Sequence, residues 1–469
     1  MRPFPPHSPR FTQELGATLH LAAPIALAMV AQFGMGVTDT IMLGALGREP
    51  LAAGGLATGM FFFSGSVLQG FTTAVAILIA HARGGREEHR ITPILKAGYA
   101  LAVIAALPLM VVLWFVEPIL LKVGEPAALA ANVKAYLHVL MWAAPGFLWV
   151  ATQRSFLSAM ARPQLVLFVS LGALVTNGVL NYGLIHGRFG LPELGFVGSA
   201  VASLATIYLQ LCAYSVSMRV MRGLPRAKVK GAIAWKIVRE LVHLGWPIGI
   251  TVGVEAGLFF AGALLMGLLG TTSLAAHQVT IQVAATLFMI PLALGQAANV
   301  RVGYHAGAGA IHAARTAGFA SLTICLATAL TGATLTIVFA KEIVLLFGLE
   351  ESRDAEVIAL ATRLLAVAAA FQLADGVQAV AAGALRGLKD TRVPMIVAAL
   401  GYWAVGFPAA WLLAFPLGFG AVGVWWGLAL GLAVVAFPLT WRFVYVSGHS
   451  RDGASIEDAA RMAFAPVAA

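Results

Sequence analysis

Three acids, Asp39, Glu255 and Asp375, lie inside long apolar stretches and away from their ends. A charged carboxylate near the middle of a bilayer costs roughly 2.5–3.5 kcal/mol on insertion scales, so it persists where it faces protein, water or an ion. The plainest role is structural, a hydrogen bond to a neighbouring helix. Glu255 and Asp375 belong to the same half of the chain and can converge. Two carboxylates at one site suit proton carriage, because holding both charges together is costly; alternatively both stay ionised around Na+, bound as a metal by Glu255 and Asp375. Sodium then needs further oxygen ligands from side chains, backbone or water. The residue types leave H+ and Na+ both open. Asp39 is in the other half, with Asn177 and Asn181 four residues apart in VTNGVLNYG and therefore on one helix face. An Asp–Asn–Asn cluster binds a cation, receives a proton or simply hydrogen-bonds shut between helices.

The element that must position Glu255 is His243–Gly270, HLGWPIGITVGVEAGLFFAGALLMGLLG, apolar except for that acid between Trp246 and Leu269. About 20 residues at 1.5 Å each span the hydrocarbon core, which puts Glu255 near its middle. The same stretch occurs 223 residues earlier. His20, Leu21, Pro24 and Ile25 meet His243, Leu244, Pro247 and Ile248, and Gly34, Gly44 and Gly47 meet Gly257, Gly267 and Gly270. The register continues through Ala74 on Ala297 and Gly84 on Gly307, which marks an internal repeat. Later, Gln153 on Gln378, Ala159 on Ala384, Gly195 on Gly420 and Gly198 on Gly423 match at 225. Glu255 falls opposite Gln32 and Asp39 opposite Gly262, so the copies share a scaffold but place their acids differently.

Twelve apolar spans are expected, near 17–44, 53–82, 95–116, 134–158, 163–186, 195–218, 240–269, 276–305, 315–340, 357–384, 393–415 and 420–446. The fold class is all-α integral membrane: two six-helix bundles related by a pseudo-twofold along the membrane normal, since six helices per half make the repeat parallel. The expected division is 1–16 N-terminal tail, 17–218 N-lobe, 219–239 linker, 240–446 C-lobe and 447–469 C-terminal tail. Of 30 Lys and Arg, the odd-numbered loops hold seven: Arg48, Lys122, Lys134, Arg188, Lys341, Arg353 and Arg363. The rest crowd the other side, densest at Arg219, Arg222, Arg226, Lys228, Lys230, Lys236 and Arg239. The positive-inside rule then places both termini, the linker and the tails in the cytoplasm.

The composition agrees: 60% hydrophobic and 11% charged, with mean hydropathy +0.88, where a soluble domain is nearer a quarter charged. The net charge of +10 is topological and argues against a nucleic-acid partner. Cys212 and Cys325 sit in apolar segments and suggest neither a disulfide framework nor a metal cluster. The first apolar run is too long for a signal-peptide core and reads as a retained helix. No HExxH or clustered His/Ser motif supports an enzyme. The loop HARGGREEHR lacks the pattern of a major-facilitator exporter. A passive channel is separable by the response of flux to an imposed ion gradient. Arg301, in NVRVGYHAG, reads as a side chain snorkelling to the interface. His277 and Gln278 read as a satisfied polar pair. Phe61, Phe62, Phe63, Phe288 and Trp403 read mainly as packing against lipid or neighbouring helices, with an aromatic cleft for organic cations as the alternative.

GVTDTIMLGALGREPLAA, the Glu255 helix, AAHQV, FMIPLALGQAANVRVG, LVTNGVLNYGLIHGRFGLPELGFVGSAVAS and FQLADGVQAVAAGALRGLKDT together resemble the multidrug and toxic compound extrusion (MATE) transporters, in their NorM-like branch. The likeness covers roughly residues 12–446. It implies a twelve-helix antiporter of the cell inner membrane, a monomer in the lipid bilayer, that exports cationic organic compounds in exchange for Na+ or H+. It assigns ion coupling to Glu255 and Asp375, makes Asp39 the acid of the DT motif, and matches Asn177 and Asn181 to the fifth-helix pair. No other cofactor is implied. A lipid-linked oligosaccharide flippase of the same superfamily is the alternative; its pyrophosphate would want basic residues deep in the spans, and none stands out.

Overall fold

The computed structural model describes residues 10–221 and 232–449. Arg222, Arg226, Lys228 and Lys230 of the linker, and most of both tails, lie outside the described residues. Within those residues the chain is all helix, with no strand. The long helices are α1 (Phe11–Ala45), α2 (Arg48–Gly84) and α3 (Glu88–Trp114), then α4, a pair Ala127–Leu140 and Ala143–Ala159 bent by 52°. α5 (Pro163–His186) and α6 (Gly195–Val220) complete the first half. α7 (Trp235–Leu268), α8 (Thr271–Gly307), α9 (Ile311–Val338), α10 (Ala355–Gly387), α11 (Arg392–Ala414) and α12 (Gly420–His449) form the second. Eleven are long and apolar enough to cross a membrane, and the bent pair makes a twelfth. α1 begins at Phe11 rather than at 17, so Glu14 sits in its first turn.

The duplication is visible in the turns. Left-handed backbone recurs at Gly47 and Gly270, Arg86 and Gly309, Gly124 and Gly348, Ala161 and Lys389, Gly190 and Gly418, and Gly195 and Gly420. A chain that breaks its helices at the same places in both copies has one topology twice. The offset is 223 through α2 and α8, as expected. Across α4 and α10, however, both ends differ by 228, and so do Ala161 and Lys389. Gln153 therefore corresponds to Ala381, and the Gln153–Gln378 match is about one helical turn out of register.

The described residues form two compact units. One is drawn from Leu27–Ala82 and Glu87–Gly249, the other from Met1–Ala26, Arg83–Arg86 and Ile250–Ala469. The division cuts α1 after Ala26 and α7 after Gly249, equivalent positions at offset 223, just beyond Pro24 and Pro247 inside those helices.

Close helix approach in the second unit rests on glycine. A Cβ on Gly383 of α10 would stand 2.2 Å from the carbonyl oxygen of Gly295 in α8, and one on Gly387 2.9 Å from that of Asn299. Small residues at such contacts let backbones meet where lipid supplies no hydrophobic drive for association. The contact fixes α10, and hence Asp375, against α8. The outer faces carry exposed apolar side chains such as Leu107, Phe168, Phe260 and Phe437, as a lipid-facing surface requires.

Candidate functional site

Two polar clusters are built into the spans. In the first unit Asp39 is buried, and three donors converge on it from two other helices. Asn177 Nδ2 and Asn181 Nδ2 of α5 donate to Asp39 Oδ1 at 3.2 and 2.8 Å, and Ser203 Oγ of α6 donates to Oδ2 at 3.0 Å. The helical spacing of four brings both asparagines to one acid. Asn181 Nδ2 also donates to the Asn177 carbonyl at 3.0 Å. The amide oxygens of both asparagines find no donor, which leaves two acceptors buried near the carboxylate.

In the second unit Glu255 of α7 and Asp375 of α10 meet through Gln378, one turn beyond Asp375. Gln378 Nε2 donates to Glu255 Oε1 at 3.2 Å and lies 3.5 Å from Asp375 Oδ1. One amide nitrogen thus joins the two carboxylates. Gln378 Oε1 accepts a 2.6 Å hydrogen bond from Tyr402 Oη, which orients the amide with its N–H groups toward the acids. Tyr402 is fully buried and belongs to a π-helical turn, Gly401–Gly406, within α11. Such turns shift the helical phase and recur at functional segments. Trp403, next along this turn, donates Nε1 to the Val254 carbonyl at 3.2 Å, bracing α11 against the helix that carries Glu255.

Alternating donors and acids of this kind can accept, hold and release a small cation. The two clusters sit on one duplicated framework, and that duplication is a family trait. The MatE family profile matches residues 24–183 and again 247–412, two segments that begin 223 residues apart. The chain belongs to the MatE family. It is 48% identical over 437 residues to a probable multidrug resistance protein NorM of Burkholderia mallei, covering 93% of each chain. It is 47% identical over 442 residues to the multidrug resistance protein NorM of Burkholderia vietnamiensis, covering 93% of this chain and 95% of that one. Among solved structures, the eukaryotic MATE transporter AtDTX14 superposes with a TM-score of 0.84 at 21% identity, over 97% of this chain and 98% of that one. An outward-facing multidrug resistance MATE transporter gives 0.82 at 18% identity, over 92% and 95%. These two likenesses establish the MATE fold.

Within that fold the structure brings together Glu255 with Asp375, and Asp39 with Asn177 and Asn181. It also corrects one expectation. Arg301 does not snorkel: it is 0% exposed, as is Glu14. Arg301 Nε donates to Glu14 Oε2 at 3.1 Å while Nη2 donates to Glu14 Oε1, a fork that grips both carboxylate oxygens. His305, one turn further along α8, places Nε2 3.1 Å from Glu14 Oε1. Phe61 is buried against Phe62 and Phe147 as packing, and Phe288 lines a cavity beside α10. His277 is buried near the Trp425 ring with Nδ1 lacking a hydrogen-bond partner, so it is not the satisfied polar group expected.

Proposed function

We propose that this MATE transporter exports cationic organic compounds in exchange for a small cation, with Glu255 and Asp375 as the coupling acids. The observation that carries the reading is the single Gln378 amide nitrogen shared by both carboxylates. Two acids held so close favour taking up one positive charge and releasing it as their surroundings change. The relatives named for multidrug resistance support the substrate class, and buried carboxylates on the spans support its positive charge. The chain is a multi-pass membrane transporter, not an enzyme. Its expected place is the cell inner membrane with both termini cytoplasmic, as a monomer whose lobes, 17–218 and 240–446, alternate between two openings.

We favour H+ over Na+. The amide oxygen of Gln378 is engaged by Tyr402, so Gln378 offers N–H donors, not an oxygen ligand, and sodium wants more oxygens than the two acids supply. Asp39, with the spare amide oxygens of Asn177 and Asn181, is the second proposed site, for a proton, a cation or the substrate.

The test is efflux of a cationic dye from proteoliposomes under separately imposed proton and sodium gradients. A proton gradient alone should drive it, and reversing the gradient should reverse it. Glu255→Gln and Asp375→Asn should each abolish driven flux while the protein inserts normally. Asp39→Asn should weaken transport or change its substrate range. Full activity in both coupling variants overturns the assignment, and flux driven by sodium alone overturns the choice of ion.

A further inference from the structure

A cavity of about 350 Å³ lies beside Asp375 among α8, α9 and α10, on a side of α10 where the Gln378 amide is not among the lining groups. Its walls are apolar: Leu287, Phe288 and Pro291 from α8, and Ala329, Gly332 and Leu335 from α9. Two threonines also line it, but Thr328 and Thr331 each donate to a carbonyl of their own helix, Ile324 and Ala327, both at 2.9 Å. Their protons are engaged, so the charge and the free donor offered to a ligand come from α10. Asp375 is 4% exposed, and Gln372, three residues before it and thus on the same helix face, is 8% exposed. Gln372 Nε2 finds no hydrogen-bond acceptor. A buried N–H2 without an acceptor is rare enough in native structures to demand one from outside the chain.

At the rim, Ile290 and Leu335 are exposed apolar side chains on helices long enough to cross a membrane, which gives the mouth an apolar border. A volume of this size falls at the lower end of drug-sized pockets, and apolar walls with a few converging polar groups are their usual make-up.

We propose that this cavity is a lateral binding pocket for a lipophilic amine that enters from the hydrocarbon region. The apolar body lies between α8 and α9, the ammonium meets Asp375, and an ether or hydroxyl oxygen close to the amine accepts from Gln372 Nε2. A lipid acyl chain leaves both polar groups unanswered, and a hydrated inorganic cation leaves the apolar walls wet, so an amphipathic cation fits where neither does. The proposal deepens the reading above and rests on it for the ligand's positive charge. It does not require Asp375 to carry the coupling ion.

The test is equilibrium binding of tritiated propranolol, an aryloxy amine, to the full-length protein in lipid nanodiscs. Wild type should bind saturably. A Cβ on Gly332 meets only Gln372 Oε1, at 3.8 Å, so Gly332→Leu fills the cavity without a backbone clash and should weaken binding by at least about tenfold. Gln372→Met keeps the side-chain length but removes the donor and should weaken binding by about 2–13-fold. A naphthylalkylamine lacking both oxygens should bind wild type and Gln372→Met alike. Absence of saturable binding, equal affinity in wild type and Gly332→Leu, or equal losses for both ligands in Gln372→Met each overturns the pocket. Should Gly332→Leu fail to fold, the two-ligand comparison in Gln372→Met decides alone. Glu255→Gln separates the two readings: it should lose driven export and keep propranolol binding. Retained binding with export intact refutes only the coupling assignment, and lost ligand discrimination with export abolished refutes only the pocket.

Discussion

Arg301 and Glu14 lie 287 residues apart in the chain and form a buried ion pair with no exposed atom on either side chain. A snorkelling arginine would be worth little, because exposed ion pairs contribute about 0–1 kcal/mol. A buried pair behaves differently: removing one partner leaves a bare charge away from water and costs about 3–5 kcal/mol, while removing both is often nearly neutral. Arg301→Met strands the Glu14 carboxylate with only His305 beside it, at 3.1 Å. Glu14→Gln strands the guanidinium on α8. Each variant should lose about 3–5 kcal/mol, and simple addition would put the double variant at roughly 6–10 kcal/mol. The buried-pair reading instead expects Glu14→Gln/Arg301→Met to fall well short of that sum, with an interaction energy of at least about 2 kcal/mol. Reversible unfolding in mixed micelles, followed by helical ellipticity, gives all three values and closes the cycle. Single variants within about 1 kcal/mol of wild type, or strict additivity, would falsify the reasoning and return Arg301 to the interface.

Three further outcomes follow from particular contacts. Gln378→Leu removes the donor shared by Glu255 and Asp375 and the acceptor of Tyr402, so driven efflux should fall at least about tenfold. Tyr402→Phe keeps the amide and should fall less; equal rates for both variants would detach Gln378 from coupling. Gly383→Leu drives a Cβ to within 2.2 Å of the Gly295 backbone and should cost at least about 1–3 kcal/mol in the same unfolding assay, so an unchanged midpoint contradicts the α8–α10 contact. Asp390, in the turn between α10 and α11, is held above the usual carboxylate range by burial, which outweighs the pull of Arg442 Nε 2.5 Å away. Its folded form grips the proton more tightly than the unfolded chain does. This group's contribution is therefore fullest below the unfolded pKa of 3.8 and declines as pH rises from there through the raised value. Unfolding midpoints between about pH 3 and about pH 6 should show a slope that Asp390→Asn flattens; parallel curves refute it.

What could be read from residues alone depended on whether one helix held the information. Asn177 and Asn181 announce themselves because a spacing of four puts two amides on one face, and lone acids in apolar runs single out Asp39, Glu255 and Asp375. The partner from a second helix was harder. Ser203 lies among the small residues of α6 and looks like packing until its hydroxyl is seen 3.0 Å from Asp39. Gln378 was visible only as a repeat match, and in the wrong register, because the offset changes by five residues between the first helices and the fourth. Tyr402 could not be phased by a 3.6-residue period, since the π turn carrying it breaks that period. Arg301 shows the same limit. Its proximity to the end of a span was legible, but the acid that keeps it buried begins the first helix of the chain. Periodicity reports which residues share a face; the function of that face is set by which helix answers it. In this protein each polar site is completed by a residue that neither its type nor its spacing singled out, so substitutions at Ser203, Gln378, Tyr402 and Glu14 test the sites more sharply than further changes to the acids.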